Sequence, residues 1–168
     1  TGIMDDSNGP LLQQSTEEIP EQSYAEQIAK NGEGMVTTYV PFRNGLMLAS
    51  IAAFAMAKYS EDEVDIYLGA HADDAAGEAY ADCTEAFTDT IGAAIAIGTY
   101  QKVHLIAPLV TLNKAGVVKW GLELGTPYEL TWSCYEGGEK QCGTCGTCID
   151  RKKAFELNGV EDPVGYEV

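Results

Sequence analysis

The sequence lacks any apolar run of the roughly 18–20 residues that a membrane-spanning helix requires, so no such helix is expected in its 168 residues. It shows no secretory signal pattern. No Ser-His-Asp arrangement and no complete phosphate-cradling loop, of the Walker or the dinucleotide type, occurs in it. There is no internal repeat. Positive charge is scarce: 10 Lys and Arg face 26 Asp and Glu, a net charge of -16, and residues 61–90 hold ten carboxylates with no Lys or Arg. A surface of that sign repels phosphate backbones, so no nucleic-acid partner is expected. Most of these carboxylates read as a solvated acidic face.

Four of the 5 cysteines are arranged for a metal ion. Cys134 stands alone, and Cys142, Cys145 and Cys148 follow at two-residue spacing. A Cys-x2-Cys turn brings two sulfurs within reach of one ion, and Gly143 and Gly146 allow the positive φ such turns often need. Four thiolates make the closed tetrahedral set of a structural Zn2+ site, with no open position for chemistry. An iron–sulfur cluster uses similar spacing. Two disulfides are a third reading, opposed by the strain of pairing cysteines so close in sequence. Cysteines spent in this way imply a reducing, cytoplasmic setting.

A hydrophobic fraction of 45% broken by 18 glycines reads as a mixed α/β chain, one domain or part of one. Three segments are expected: an acidic loop or arm over 1–35, an α/β portion over 36–130, and a zinc-binding end over 131–168. The arm allows one short helix near Tyr24–Lys30. Val36 to Val40, β-branched and aromatic, predicts a short strand ended by Pro41. Arg43 to Tyr59 is apolar almost all round and predicts a buried helix. Val64 to Ala70 predicts a strand, a loop runs to Cys83, and a helix follows to Ile97, closed by Gly98. Lys102 to Ala107 predicts the next strand, and Asn113, a good N-cap, opens a helix that ends at Leu124 before Gly125. Strand and helix alternating at this spacing indicate parallel βαβ units. Two or three parallel strands make a poor sheet. With Thr1 as first residue, the expectation is of further strands upstream or of an edge supplied by another chain, and hence of a homodimer.

Ligands of open α/β sheets bind beyond the carboxyl ends of the strands, which directs attention to three loops. Arg43 and Asn44 head the apolar helix, where a cation opposes the helix dipole unless an anion answers it. The alternative is a salt bridge from Arg43 to Asp73 or Asp74. His71, Asp73 and Asp74 follow a strand end, and Asp82 reads either as the N-cap of the next helix or as part of a carboxylate pair for Mg2+ or a base edge. Lys114 in a first helical turn suits a phosphate, or is simply solvated. His104, inside a strand, reads as packed, and Cys83 as a small buried hydrophobe.

Several motifs together resemble the 7-cyano-7-deazaguanine synthase (QueC) family of queuosine and deazapurine biosynthesis. Residues Thr38 to Asn44 resemble its Phe-Val-Pro-Gly-Arg-Asn segment, and Tyr80-Ala81-Asp82-Cys83 its Tyr-Pro-Asp-Cys signature. Ala107-Pro108-Leu109 with Lys114 is similar to its Thr-Pro-Leu motif and lysine; Thr131 to Tyr135, the triple-cysteine knuckle, Arg151 and Ala154-Phe155 are similar to its zinc-binding end. The resemblance implies a parallel-sheet fold like that of the adenine-nucleotide α-hydrolases (PP-loop ATP pyrophosphatases), without its N-terminal strands. It implies an ATP-dependent ligase, with Mg2+, converting 7-carboxy-7-deazaguanine and ammonia to the nitrile. By that resemblance Arg43, Asp74 and Asp82 serve the reaction and Asn44, His71, Tyr80 and Cys83 line the substrate. Lys114 then meets ATP, and the four cysteines hold zinc. Phe42 and Ala81 depart from the family's glycine and proline, and its Ser-Gly-Gly-x-Asp-Ser pyrophosphate loop is absent from these residues, which predicts no ATP turnover by the 168-residue chain alone. Rival readings are an amide-forming or sulfur-transferring relative of the same fold, and a non-catalytic zinc-ribbon interaction module.

Overall fold

The computed structural model describes residues 6–12 and 14–168; the parts of the expected arm at 1–5 and 13 lie outside them. In chain order the elements are α1 (Tyr24–Asn31), α2 (Arg43–Lys58), β1 (Val64–Tyr67), α3 (Ala72–Ala75), α4 (Glu85–Gly98), β2 (Val103–Ile106), α5 (Lys114–Glu123) and α6 (Gly146–Leu157). Short 3-10 turns occupy Ala76–Glu78, Ala81–Cys83 and Tyr128–Leu130. Among the described residues no helix is long and apolar enough to cross a membrane. Two compact units interleave along the chain, one formed by the residues up to Val40 with Gly77–Ala79 and Leu112–Val168, the other by Pro41–Ala76 and Tyr80–Thr111.

The second unit is the α/β part. β1 and β2 pair in parallel, in register from Val64 opposite Val103 to Tyr67 opposite Ile106. Leu48, Ala52 and Ala55, at i, i+4 and i+7, lay one face of α2 against Ile66, Ile95 and Val103, with Phe87, Ile91 and Leu105 around them. Thr84 caps α4 by accepting the Phe87 N–H at 3.1 Å. At its other end Thr99 Oγ1 donates to Ile95 O at 2.8 Å and accepts the Val103 N–H at 3.1 Å, tying the helix to the start of β2.

Three expectations are corrected. Residues 36–40 form no strand: Tyr39 N–H donates back to Val36 O at 3.0 Å, closing a turn at Thr37–Thr38. Their β-like pattern reflects burial of Val36 and Thr38 with Thr37 exposed between them. α2 is not buried all round, for Leu46, Met47, Ile51 and Phe54 are 40–57% exposed. Nor does Asp82 cap α4, since Thr84 takes that place.

The first unit is built around α5, α6 and the sulfur centre. Asn113 accepts the Gly116 N–H at 2.8 Å and caps α5 as its sequence predicts. Val118, Ala154 and Phe155 form a small core where α5 meets α6, and the Tyr128 ring meets Phe155 edge-on at 4.9 Å. α1 starts at a capping box in which Ser23 Oγ accepts the Glu26 N–H and Glu26 Oε2 accepts the Ser23 N–H.

Candidate functional site

Two sequence motifs meet at the head of α2. Phe42, its N-cap, makes no side-chain cap. Instead Asp82 Oδ2, 38 residues later, accepts the Asn44 N–H at 2.9 Å. A carboxylate at this helix end answers both a free N–H and the positive end of the dipole. Asn44 returns the contact, its Nδ2 donating to Asp82 O at 3.0 Å and to Cys83 Sγ at 3.3 Å. Asn44, Asp82 and Cys83 are 5%, 3% and 4% exposed. Asp82 Oδ1 takes no hydrogen bond among the described residues.

The loop after β1 is cross-linked to itself. His71 Nε2 lies 3.2 Å from Asp74 Oδ2, Tyr80 N–H donates to Asp74 O at 3.0 Å, and Cys83 N–H donates to Tyr80 O at 3.0 Å. His71 and Tyr80 are buried. Burial, with the charges of Asp74 and Asp82 beside it, pushes the Cys83 thiol up to about 12, only partly opposed by the Asn44 amide and Arg43. At neutral pH Cys83 is therefore a neutral thiol and a poor nucleophile. Arg43 stands at the first position of α2, and among the described residues the ion-pair partner of Asp74 is His71. Arg43, Asn44, His71, Asp74, Tyr80, Asp82 and Cys83 thus all belong to one unit, on α2's head and the β1–α4 connection. Lys114 opens α5 in the other unit, and His104 sits in β2 opposite Asp65.

The four-sulfur centre lies in the first unit. The Sγ atoms of Cys134, Cys142, Cys145 and Cys148 all lie within 4.8 Å of one another. A tetrahedral ion with Zn–S bonds of about 2.3 Å needs sulfurs about 3.8 Å apart; Cys142 Sγ and Cys148 Sγ are 3.9 Å apart. No disulfide joins them. The donor set fits a structural metal ion. Backbone N–H groups already point at it: Cys142 N–H donates to Cys134 Sγ at 3.3 Å, and Cys145 and Thr144 N–H to Cys142 Sγ at 3.3 and 3.4 Å. Burial pushes Cys142 up, but these donors outweigh it and bring its thiol down to about 6. Burial pushes Cys134 and Cys148 up.

Gly143 has the positive φ expected of it, +84°, whereas Gly146 does not and is needed for space: a Cβ there would lie 2.7 Å from Gln22 O. Around the sulfurs pack Ile19, Tyr135 and Tyr166, and the Tyr24 and Tyr135 hydroxyls bond at 2.9 Å. Behind them Arg151, 6% exposed, grips Asp162 with Nε at 2.6 Å and Nη2 at 2.9 Å. Its remaining donors reach Thr131 Oγ1, Ser133 Oγ and Tyr128 O. Tyr166 OH donates to the same Asp162 at 2.5 Å. Sequence reasoning did not single out Asp162, Tyr166 or Ile19; Asp162 and Tyr166 follow the knuckle at no fixed spacing, and Ile19 lies in a stretch read as a loop.

The family described as queuosine biosynthesis protein QueC matches residues 4–159. The 7-cyano-7-deazaguanine synthase of Psychromonas ingrahamii is 40% identical over 135 residues, covering 80% of this chain and 59% of that protein. That of Caldicellulosiruptor saccharolyticus is 41% identical over 157 residues, 94% of this chain and 65% of its own length. That of Allorhizobium ampelinum is 43% identical over 152 residues, 89% and 60% respectively. The chain spans about three fifths of the length of these curated relatives.

Proposed function

The chain belongs to the QueC family of queuosine biosynthesis proteins, and from that premise we propose that it carries the deazaguanine-recognition loops and the zinc-braced end of an ATP-dependent ligase. The substrates of the whole protein are 7-carboxy-7-deazaguanine, ammonia and ATP with Mg2+, and the product is 7-cyano-7-deazaguanine. The reaction adenylates the carboxylate, forms the amide with ammonia, and activates that amide for dehydration.

The observation that carries this reading is the Asn44–Asp82–Cys83 knot, which fastens the Arg-Asn motif to the Tyr-Ala-Asp-Cys motif. These buried polar bonds cap α2 and at the same time bring the two motifs to one place, as a shared ligand would require. In this reading Arg43 meets the substrate carboxylate with its guanidinium. Asp74, fixed by His71, and the free oxygen of Asp82 accept from the purine-like edge. Asn44 holds Asp82 in place, His71, Tyr80 and Cys83 wall the site, and Lys114 meets the ATP phosphates. The four cysteines hold zinc and take no part in the chemistry.

The test uses the full-length protein. Arg43→Ala should lower kcat/KM for 7-carboxy-7-deazaguanine by about 100-fold or more, the scale of losing one donor to developing charge, while the variant keeps its bound zinc. The 168-residue chain alone should not consume ATP with these substrates, since it lacks the pyrophosphate loop. An amide or thioamide in the product mass spectrum overturns the nitrile assignment in favour of a related ligase. An unchanged rate for Arg43→Ala overturns the role given to Arg43, and no turnover with no deazapurine binding by calorimetry to the full-length protein overturns the catalytic reading altogether.

A further inference from the structure

Gln141 stands directly before the first cysteine of the knuckle and is 1% exposed. Its backbone is held on both sides by the end of the chain: its N–H donates to Gly165 O at 3.2 Å and its carbonyl accepts the Glu167 N–H at 2.9 Å. The side chain therefore has nowhere to go but inward. Its Oε1 lies 3.9 Å from Cys148 Sγ, while its Nε2 is buried without a hydrogen-bond partner. Buried N–H groups left in that condition are rare and costly.

The two ends of a glutamine amide have the same shape, and its orientation is decided by what the neighbours require. As a thiol, Cys148 can donate S–H to Oε1. When the four sulfurs hold a metal ion, Cys148 is a thiolate and can only accept. Oε1 would then face a lone pair while Nε2 stayed unpaired. Half a turn of the amide removes both faults. Nε2 then donates to the sulfur, and the carbonyl, which tolerates an unpaired position better, moves to where Nε2 was. We propose that Gln141 is a positioning residue of the metal centre, its Nε2 donating a hydrogen bond to the Cys148 thiolate in the metal-loaded protein.

The sulfurs differ in the donors they receive. Cys142 receives two backbone N–H groups, from Thr144 and Cys145. Cys148, 0% exposed and the innermost of the set, has one backbone donor, from Gly143. The Gln141 amide supplies its second. Such outer partners fix ligand orientation and tune the electron density a thiolate offers the metal. The inference rests on the four-sulfur metal reading and is independent of the ligase reading.

The test is the Co2+-loaded protein with Gln141→Met, which keeps the length of the side chain and removes the donor. Zn2+ affinity, measured by competition with a chromophoric chelator, should fall about 10–100-fold. The sulfur-to-Co2+ charge-transfer band should move to lower energy, because a thiolate that loses a hydrogen bond gives up its electrons more readily. Gln141→Glu, with a second negative charge beside the sulfur, should weaken binding further. A lower affinity with an unmoved band means that Gln141 only fills space, and an unchanged affinity and band mean that it does nothing; either overturns the proposal. If the variants fail to fold, the unaltered protein loaded with NMR-active cadmium decides. Scalar coupling between the metal and a Gln141 side-chain N–H supports the proposal, and its absence overturns it. Unaltered protein that takes up no metal overturns the metal reading and this inference together, leaving the ligase reading to its own test.

Discussion

Phe42 adopts φ +52°, a left-handed conformation that costs a residue bearing a Cβ about 1–2 kcal/mol. The family segment it resembles has glycine at this position. The ring compensates in part by meeting Phe87 edge-on, with centroids 5.9 Å apart. It also lies over Gly45, where an added Cβ would fall 2.3 Å from two ring carbons. Phe42 and Gly45 are therefore matched, and their substitutions should not add. Gly45→Ala alone should destabilise, because the ring must leave Phe87 and forfeit an aromatic contact of about 0.5–1.5 kcal/mol. On a Phe42→Gly background the same change should stabilise by about 1 kcal/mol, the helix propensity of alanine over glycine. Urea unfolding of the four proteins checks this, and additive effects would contradict it. The sequence marked Phe42 as a departure from the family's glycine, but it could not show how the chain absorbs it, because the accommodating residue is three positions away and carries no side chain. The same holds for Asp82. A capping residue is legible next to the helix it caps, and Asp82 caps α2 from 38 residues away.

α6 shows which elements a sequence discloses. α2 and α4 were legible from their apolar runs and α5 from the Asn113 cap beside it, whereas no helix was expected over Gly146–Leu157. Its buried positions include Gly146, Thr147, Cys148 and Arg151 as well as Ala154 and Phe155, so the face it hides is sulfur, hydroxyl and guanidinium rather than hydrocarbon. Arg151 fastens this helix to the chain end through Asp162, both nearly inaccessible. Removing one partner strands the other charge, so Arg151→Ala should cost about 3–5 kcal/mol in the metal-loaded protein. Lys at this position should rescue little, since one ammonium cannot reproduce the paired grip on Asp162 and the bonds to Thr131 and Tyr128. The pair also sets an acid limit. Burial raises the Asp162 carboxyl, but Arg151 and the Tyr166 hydroxyl outweigh it and hold the group below its ordinary value of 3.8. A depressed folded-state value contributes stability that is complete above the unfolded value and is lost as pH falls through the folded one. Wild-type stability should therefore drop between about pH 5 and 2 more steeply than that of Asp162→Asn, compared by thermal melts across that range.

At the scale of the whole molecule the two units are stabilised by different means. The α/β unit has an ordinary apolar core of Leu48, Ala52, Ala55, Ile66, Ile95 and Val103 with six partly buried neighbours. In the other unit, among the described residues, Val118, Ala154 and Phe155 form the core where α5 meets α6, and Ile19, Tyr135 and Tyr166 gather around sulfurs. A structural zinc contributes about 10–16 kcal/mol in small zinc peptides, as much as the whole stability of many domains, about 5–15 kcal/mol. The importance of the cysteines was legible in the sequence because metal spacing is local. The parallel pairing of β1 with β2 was legible from the alternation of strand and helix. The partnership of Ile19 and Tyr166 with the sulfurs was not, because it joins segments from opposite ends of the chain. Stripping the metal with a chelator under reducing conditions should therefore act on one unit before the other. Amide exchange in α5, α6 and at Gln141 and Glu167, whose N–H groups join the knuckle to the chain end, should rise by orders of magnitude, while amides of β1, β2 and α4 keep their protection. Hydrogen–deuterium exchange read by mass spectrometry separates these peptides. Equal loss across both sets would show that the apolar core depends on the sulfur centre as well, and a metal-free protein with α6 still protected would show that the sulfurs hold nothing.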